Sequence, residues 1–213
     1  MTTPSNSIEW SDSLEKLFKK SAEQFLCLRW THEASQRWTA KQNTLLTVPV
    51  IVLSGLASLG SVGSSNLLPF DRSELLIGFI SFTAGILQTV SSYFGFARRA
   101  ESHRIAALGY EKLYRTIDFQ LKAHRHERDP PGSLMKMLKD EADRLNEVSP
   151  LLPAWAVKQF REKFPSPENI SVPAILNGLE PVEIAIESAP SAFTIPKEPQ
   201  VKITIKNPHG LVV

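Results

Sequence analysis

Two long stretches without a charged side chain constrain this sequence more than any other feature. No Asp, Glu, Lys or Arg lies between Lys41 and Asp71, and none lies between Glu74 and Arg98. A helix of about 20 apolar residues is long enough to cross a bilayer. Ser, Thr and Gly in both stretches leave open a pair of buried core helices in a soluble protein, but two such stretches in succession favour membrane insertion. The predicted spans are 45–63 and 75–97.

Basic residues flank the outer ends of both spans. Lys41 precedes the first span and Arg98-Arg99 follows the second, whereas the connecting loop offers one arginine, Arg72, beside two acidic residues. Because basic flanks stay in the cytosol, this pattern predicts an integral membrane protein, a two-pass helical hairpin with both termini cytosolic. Aromatic rings also favour the bilayer interface. The predicted interface anchors are Trp38, Lys41, Tyr93, Arg98 and Arg99.

The second span carries small residues at four-residue spacing. Ser81, Gly85 and Thr89 lie on one helical face, and small residues let helices pack closely in lipid. Two packing partners are possible for this face: the first span, which is preferred, and another subunit. Gln88 is the only strongly polar side chain within the spans, and it either forms an interhelical hydrogen bond or faces a pore. Pro49 predicts a kink in the first span or marks its effective start.

A heptad-like series runs from the second span into the charged sequence that follows. Its alternating steps of four and three residues predict one unbroken helix whose packing face continues from lipid into the cytosol. The partner is an N-terminal helix over about residues 8–40, which gives an antiparallel bundle. Arg99 and His103 lie on this face just outside the membrane, so a gate or pH switch is the alternative to anchoring and ordinary packing. The series is Gly85, Thr89, Ser92, Phe96, Arg99, His103, Ala106, Tyr110, Leu113 and Ile117.

Proline divides the remainder of the chain. Pro130-Pro131-Gly132 predicts a break, and amphipathic helices are predicted over 133–148 and 153–164. The last 49 residues contain eight prolines, with alternating runs at 182–187 and 201–206 that predict extended segments. The expected organisation is all-helical apart from this tail. It comprises an N-terminal cytosolic helix (1–41), a transmembrane hairpin (42–97), a cytosolic helical extension (98–164) and a proline-rich extended tail (165–213).

The sequence offers no catalytic constellation and no set of ligands for a metal or cofactor. The net charge of +2 is small and evenly spread, which argues against nucleic acid as a partner. The glycine-rich segment 55–63 lies within a span and lacks the Lys-Ser/Thr of a phosphate loop. His124 and His126 lie near two acidic residues, but their spacing matches no metal motif. Cys27, the single cysteine, is predicted to be a small buried apolar residue.

Two motifs carry a resemblance to a known family. They are AESHRIAA at 100–107 and EVSPLLP at 147–153, within a similarity that covers about residues 20–165. This region resembles the two-transmembrane SLATT superfamily, in particular stand-alone members of large DNA viruses and their algal or protist relatives. The resemblance implies a hairpin with a cytosolic helical extension. Bacterial relatives are proposed to form oligomeric membrane effectors or pores beside nucleotide-synthesising or nucleotide-sensing partners, whereas this chain carries no such attached domain.

Two non-enzymatic functions follow from these observations. In the first, the chain is an oligomeric membrane effector whose second spans line or gate a pore. In the second, the hairpin anchors a structural component of a viral particle at its internal membrane, and residues 165–213 bind a protein layer or a neighbouring chain. Both functions require a lipid bilayer, and both are consistent with a homo-oligomer.

Overall fold

The structure, a computed structural model, describes residues 9–63, 73–165 and 170–178. Within these ranges the regular structure is helical and contains no β-strand, which confirms the all-helical class. The two alternating runs predicted as extended segments lie outside the described residues. The helices are α1 (Asp12–Gly63), α2 (Ser73–Phe94), α3 (Phe96–Lys122), α4 (Pro131–Val148), α5 (Ala154–Lys163) and α6 (Ala174–Asn177), with a 3₁₀ turn at Arg125–Glu127.

Helix α1 joins the predicted N-terminal helix and the first span in one element of 52 residues. With a rise of 1.5 Å per residue, its length is about 78 Å. The backbone N–H of Leu14 donates to the Ser11 hydroxyl at 3.3 Å, which caps the helix start. Pro49 lies inside α1, which continues on both sides of it.

Helix α1 packs along both α2 and α3, and the contacts follow an antiparallel order. Near one end, a Cβ added to Gly60 of α1 would lie 3.0 Å from Cγ1 of Ile77 in α2, so the two backbones approach closely. Farther along, the rings of Phe25 in α1 and Tyr110 in α3 stack with centroids 6.1 Å apart. The two predicted spans are therefore neighbours, and each continues into a helix of the charged bundle.

The predicted unbroken helix is interrupted at Gly95, which separates α2 from α3. Gly95 has φ 58° and ψ 39°, a left-handed conformation that costs an L-residue about 1–2 kcal/mol. Backbone hydrogen bonds continue on both sides of it. The Gly95 N–H donates to the Ser91 carbonyl at 3.1 Å, and the Arg99 N–H donates to the Gly95 carbonyl at 3.0 Å.

The buried positions around this interruption differ from the predicted series by one residue. In α3 the predicted face is observed from His103 onward, because every member of the series from His103 to Ile117 is buried, whereas Arg99 is exposed and Ala100 is buried beside it. In α2 the more buried positions include Ile77, Ile80 and Ala84, whereas Gly85 is exposed. One residue of an α-helix corresponds to about 100° of rotation, so the prediction of one continuous face is wrong in α2 and also at Arg99, at the start of α3.

Two apolar clusters hold the helices beyond the predicted spans together. The first lies between α1, α3 and α4, and Leu145 of α4 occupies the space left by Gly109 of α3, where a Cβ would overlap it. The second lies between α1, α5 and the segment around α6, and it contains Cys27, whose burial raises the pKa of the thiol to about 11. The first cluster consists of Phe18, Ala22, Ala106, Tyr110, Leu113, Ile117, Leu134, Leu138 and Leu145.

A charged cluster ties the start of α1 to the turn between α3 and α4. The guanidinium of Arg128 donates to Glu15 Oε1 at 2.6 Å and lies 4.9 Å from the ring centroid of Trp10. Arg125 also donates to Glu15, at 2.7 Å. Hydrogen bonds from Arg125 and Arg128 lower the pKa of the Glu15 carboxyl to about 2. This cluster closes the end of the bundle that lies farthest from the apolar helices.

Replacing Gly95 with alanine is expected to lower the free energy of unfolding by about 1–2 kcal/mol, because the left-handed conformation places the new Cβ against the backbone. Unfolding of the purified protein in detergent, followed by circular dichroism, measures the change. Gly78→Ala is the matched control, since nothing lies within 4 Å of the added Cβ there, and alanine favours the helix. Equal stability of the two variants would contradict the left-handed break.

Candidate functional site

A buried face of α1 carries hydroxyl side chains instead of apolar ones. Thr31, Ser35 and Thr39 are buried, and each donates a hydrogen bond to the backbone carbonyl four residues earlier, at 2.9, 2.9 and 2.6 Å. These bonds satisfy the hydroxyl protons inside the helix, so the side chains can be buried without other partners. The oxygen lone pairs remain free to accept.

His32 of α1 and His103 of α3 meet beside this face. Their Nδ1 atoms are 3.0 Å apart, and the two residues are 2% and 5% exposed. A hydrogen bond between two imidazole nitrogens needs one donor and one acceptor, so at least one of the rings is neutral in this contact. The ring of His32 also stacks on Tyr110 with centroids 5.5 Å apart, and the Tyr110 hydroxyl donates to Asn146 Oδ1 at 2.8 Å.

The surroundings favour the neutral form of both imidazoles. Burial, with a smaller contribution from the neighbouring His103, lowers the pKa of His32 to about 4. Burial also lowers the pKa of His103 from its ordinary value. Neither ring forms an ion pair with a carboxylate in the described ranges. The pair is therefore uncharged at neutral pH.

A cavity of about 390 Å³ opens beside His103, where the apolar helices meet the charged bundle. Its polar part comes from Arg99 and His103 of α3, with Ser35 and Thr39 of α1. The segment that follows α4 closes the other side, and none of the described lining residues is acidic. The full lining is Ser35, Trp38, Thr39, Arg99, His103, Pro150, Leu151, Pro153 and Trp155.

Aromatic rings form one wall of this cavity. Trp38 of α1 lies 5.3 Å from Trp155 of α5 between ring centroids, and it contacts Phe96 edge-on at 6.4 Å. Leu151, in the segment between α4 and α5, is 92% exposed at the same site. The cavity therefore combines a cationic group, hydrogen-bonding groups and indole rings.

Three of the predicted site residues, Trp38, Arg99 and His103, come together in this cavity. Arg98 and Lys41 are exposed and lie outside its lining, and Tyr93 is 84% exposed at the end of α2. Both arginines were predicted as interface anchors, and Arg99 alone was also placed on the packing face; in the structure both are exposed. Only Arg99 lines a concave site, because the helical turn of α3 directs the adjacent residue elsewhere.

The predicted packing residues of the second span are turned away from α1. Ser81, Gly85, Gln88 and Thr89 are all exposed, and nothing lies within 4 Å of a Cβ added to Gly85. The contact with α1 is made instead by positions such as Ala84, which is 6% exposed. Within the described chain, the small-residue stripe therefore has no helix packed on it.

The sequence interpretation missed His32. A signal for it was present, because paired residues of an antiparallel hairpin lie at equal distances from its turn. The midpoint of positions 32 and 103 falls between residues 67 and 68, next to residue 68, which is midway between the end of α1 at Gly63 and the start of α2 at Ser73. Applying that register to His103 points to position 33 of α1, one residue from His32.

Comparisons with known proteins leave the chain without an assigned family. No protein-family model, no curated protein and no solved structure matches it. The resemblance to the SLATT superfamily therefore stays a prediction.

Proposed function

We propose that the chain is a non-enzymatic two-pass membrane protein that oligomerises through α2 and acts as a SLATT-like effector or pore. The observation that carries the proposal is the exposed apolar surface of the predicted spans. The most apolar 18-residue windows are 0% buried in the first span and 6% buried in the second. Large apolar side chains such as Leu59 (74% exposed) and Phe79 (68% exposed) point outward.

A bilayer accounts for this surface better than water does. Soluble monomers rarely expose continuous apolar patches larger than a few hundred Å², and the core helices of a soluble protein bury such side chains. Both helices are long and apolar enough to cross a membrane. Their antiparallel contact favours a hairpin, and the basic flanks at Lys41 and at Arg98-Arg99 favour the cytosol for both termini.

The outward face of α2 supports oligomerisation. Thr89 already donates a hydrogen bond to the Gly85 carbonyl at 2.8 Å, so its hydroxyl proton is satisfied. The amide of Gln88 has no partner in the described ranges. An unpartnered amide is unfavourable in lipid, and either a second copy or a water-filled pore would satisfy it. Gly85 and Ser81 on the same face would let the second copy approach closely.

Reconstitution into liposomes tests the proposal. The wild-type protein is expected to form cross-linkable oligomers and to release a trapped ion. Interhelical amide hydrogen bonds contribute about 0.6–2 kcal/mol, so Gln88→Leu is expected to weaken association by roughly 3–30-fold, with a matching loss of flux. Gln88→Asn, which keeps an amide, is the control.

Two results would contradict this function. Oligomers that persist unchanged in Gln88→Leu would rule out the α2 interface, and absence of ion release at every protein-to-lipid ratio would rule out the pore. The alternative of a viral scaffold depends on residues 165–213, most of which lie outside the described ranges.

A further inference from the structure

We propose that the cavity between Trp38, Arg99 and His103 binds the phosphate of an anionic phospholipid, with an acyl chain of that lipid lying along α1. This inference rests on the proposed insertion in a membrane, and it adds a specific ligand site to it. Three independent features of the site support it: its charge, its hydrogen-bonding groups and the apolar surface that leads away from it.

The charge of the cavity is positive and uncompensated. Arg99 forms no ion pair with any residue of the described ranges, and the lining includes no described acidic residue. The nearest glutamate along α3, Glu101, is held by Arg104 through hydrogen bonds of 2.8 and 2.7 Å. A guanidinium presents planar paired donors that match a phosphate, so an anion is the ligand that this site favours.

His103 adds a directed donor. Its Nδ1 is engaged by His32, which leaves Nε2 as the ring nitrogen without a partner among the residues that the structure describes. When the Nδ1–H of His32 donates to Nδ1 of His103, the proton of the neutral His103 ring lies on Nε2. His103 can then donate to a phosphate oxygen while the pair stays uncharged. An anion in the cavity would select this tautomer.

An apolar track leads from the cavity along α1. Trp38 in the cavity wall, Leu45, Val52 and Leu59 recur every seven residues and therefore share one helical face. They are 42%, 63%, 54% and 74% exposed, respectively. A free phosphate would contact none of this apolar surface, whereas a phospholipid would contact both the cationic cavity and the apolar track. The combination favours a lipid over a soluble phosphate.

The position of the site also fits a lipid headgroup. The cavity lies where charge first reappears on the chain after the second span, between Arg98-Arg99 and the start of the charged bundle. Tryptophan and arginine both favour this depth of a bilayer. The exposed Leu151 and the indoles of Trp38 and Trp155 would contact the glycerol and the first methylenes of the chains.

Short-chain phospholipids test the proposal on the full-length protein in detergent, which does not require insertion in a bilayer. Saturable binding is followed by tryptophan fluorescence and by the shift of Tm. Dihexanoyl phosphatidylglycerol is expected to bind the wild type, and Arg99→Gln is expected to weaken binding by about tenfold or more. Arg98→Gln removes the same charge one residue away, outside the cavity, and is expected to bind like the wild type.

Three further ligands distinguish binding of an anionic phospholipid from binding of a soluble phosphate. Glycerol 3-phosphate and inorganic phosphate are expected to bind far more weakly than the lipid, because they lack chains, and dihexanoyl phosphatidylcholine is expected to bind more weakly because it has no net charge. Three results would each overturn the proposal. They are an equal loss of lipid affinity in Arg98→Gln and Arg99→Gln, binding of inorganic phosphate as tight as that of the lipid, and the absence of saturable lipid binding. None of these results depends on whether reconstituted protein conducts ions, so the two proposals can fail separately.

Discussion

Lowering the pH from 7 to 4 is expected to reduce the free energy of unfolding by about 3 kcal/mol through His32 alone. The pKa of His32 is about 4 in the folded chain, below the ordinary value of 6.5. As the pH falls, the unfolded chain therefore takes up the proton first. The stability contributed by the neutral ring is complete above pH 6.5 and is lost progressively down to about pH 4. His103, whose pKa is also lowered by burial, acts in the same direction.

Denaturant unfolding in detergent at a series of pH values measures this loss. His32→Gln keeps a side chain that can donate to Nδ1 of His103, and it is expected to show a shallower dependence between pH 6.5 and 4. His126→Gln is the control, because the His126 side chain is 79% exposed and its loss should leave the wild-type slope unchanged. The Glu15 carboxyl, with a pKa of about 2, responds mainly below pH 4.5, so its contribution is separable. Identical slopes for wild type and His32→Gln would contradict a buried neutral pair.

Replacing Phe82 with lysine is expected to lower membrane insertion on the order of 100-fold, because a lysine near the centre of a span costs about 2.5–3.5 kcal/mol. Phe82 is 67% exposed near the middle of α2. The same substitution on the surface of a soluble protein would change stability by no more than about 0.5 kcal/mol. The size of the effect therefore distinguishes a lipid-facing surface from a water-facing one.

Carbonate extraction of membranes from expressing cells gives the readout. The wild type is expected in the membrane pellet, and Phe82→Lys is expected largely in the aggregated or soluble fractions. Leu108→Lys is the matched control, since Leu108 is 52% exposed on α3 beyond Arg98-Arg99. A wild-type protein released by carbonate, or equal behaviour of the two variants, would exclude the hairpin.

Part of the site could be predicted from the sequence. Trp38, Arg99 and His103 were placed near the predicted bilayer surface by the hydropathy boundary alone, and they do lie together. The opposite wall could not be foreseen, because Leu151 and Trp155 reach it only when α4 and α5 fold back on the bundle. Hydropathy indicates which side chains are apolar, but it does not indicate which distant segment of the chain packs against them.

The sequence by itself determined the helical class of the part of the chain that the structure describes, which stretches are apolar enough to span a membrane, and where charge returns at Arg98. Those properties depend on residues within a few turns of one another, so local periodicity and charge are sufficient. Only the tertiary structure showed that the α2 face that carries Gly85 points away from α1 and that His32 pairs with His103. It also showed that Arg99 lines the cavity and Arg98 does not. The left-handed residue Gly95, which separates α2 from α3, could not be predicted either, because glycine has no side chain and so contributes nothing to a hydrophobic pattern.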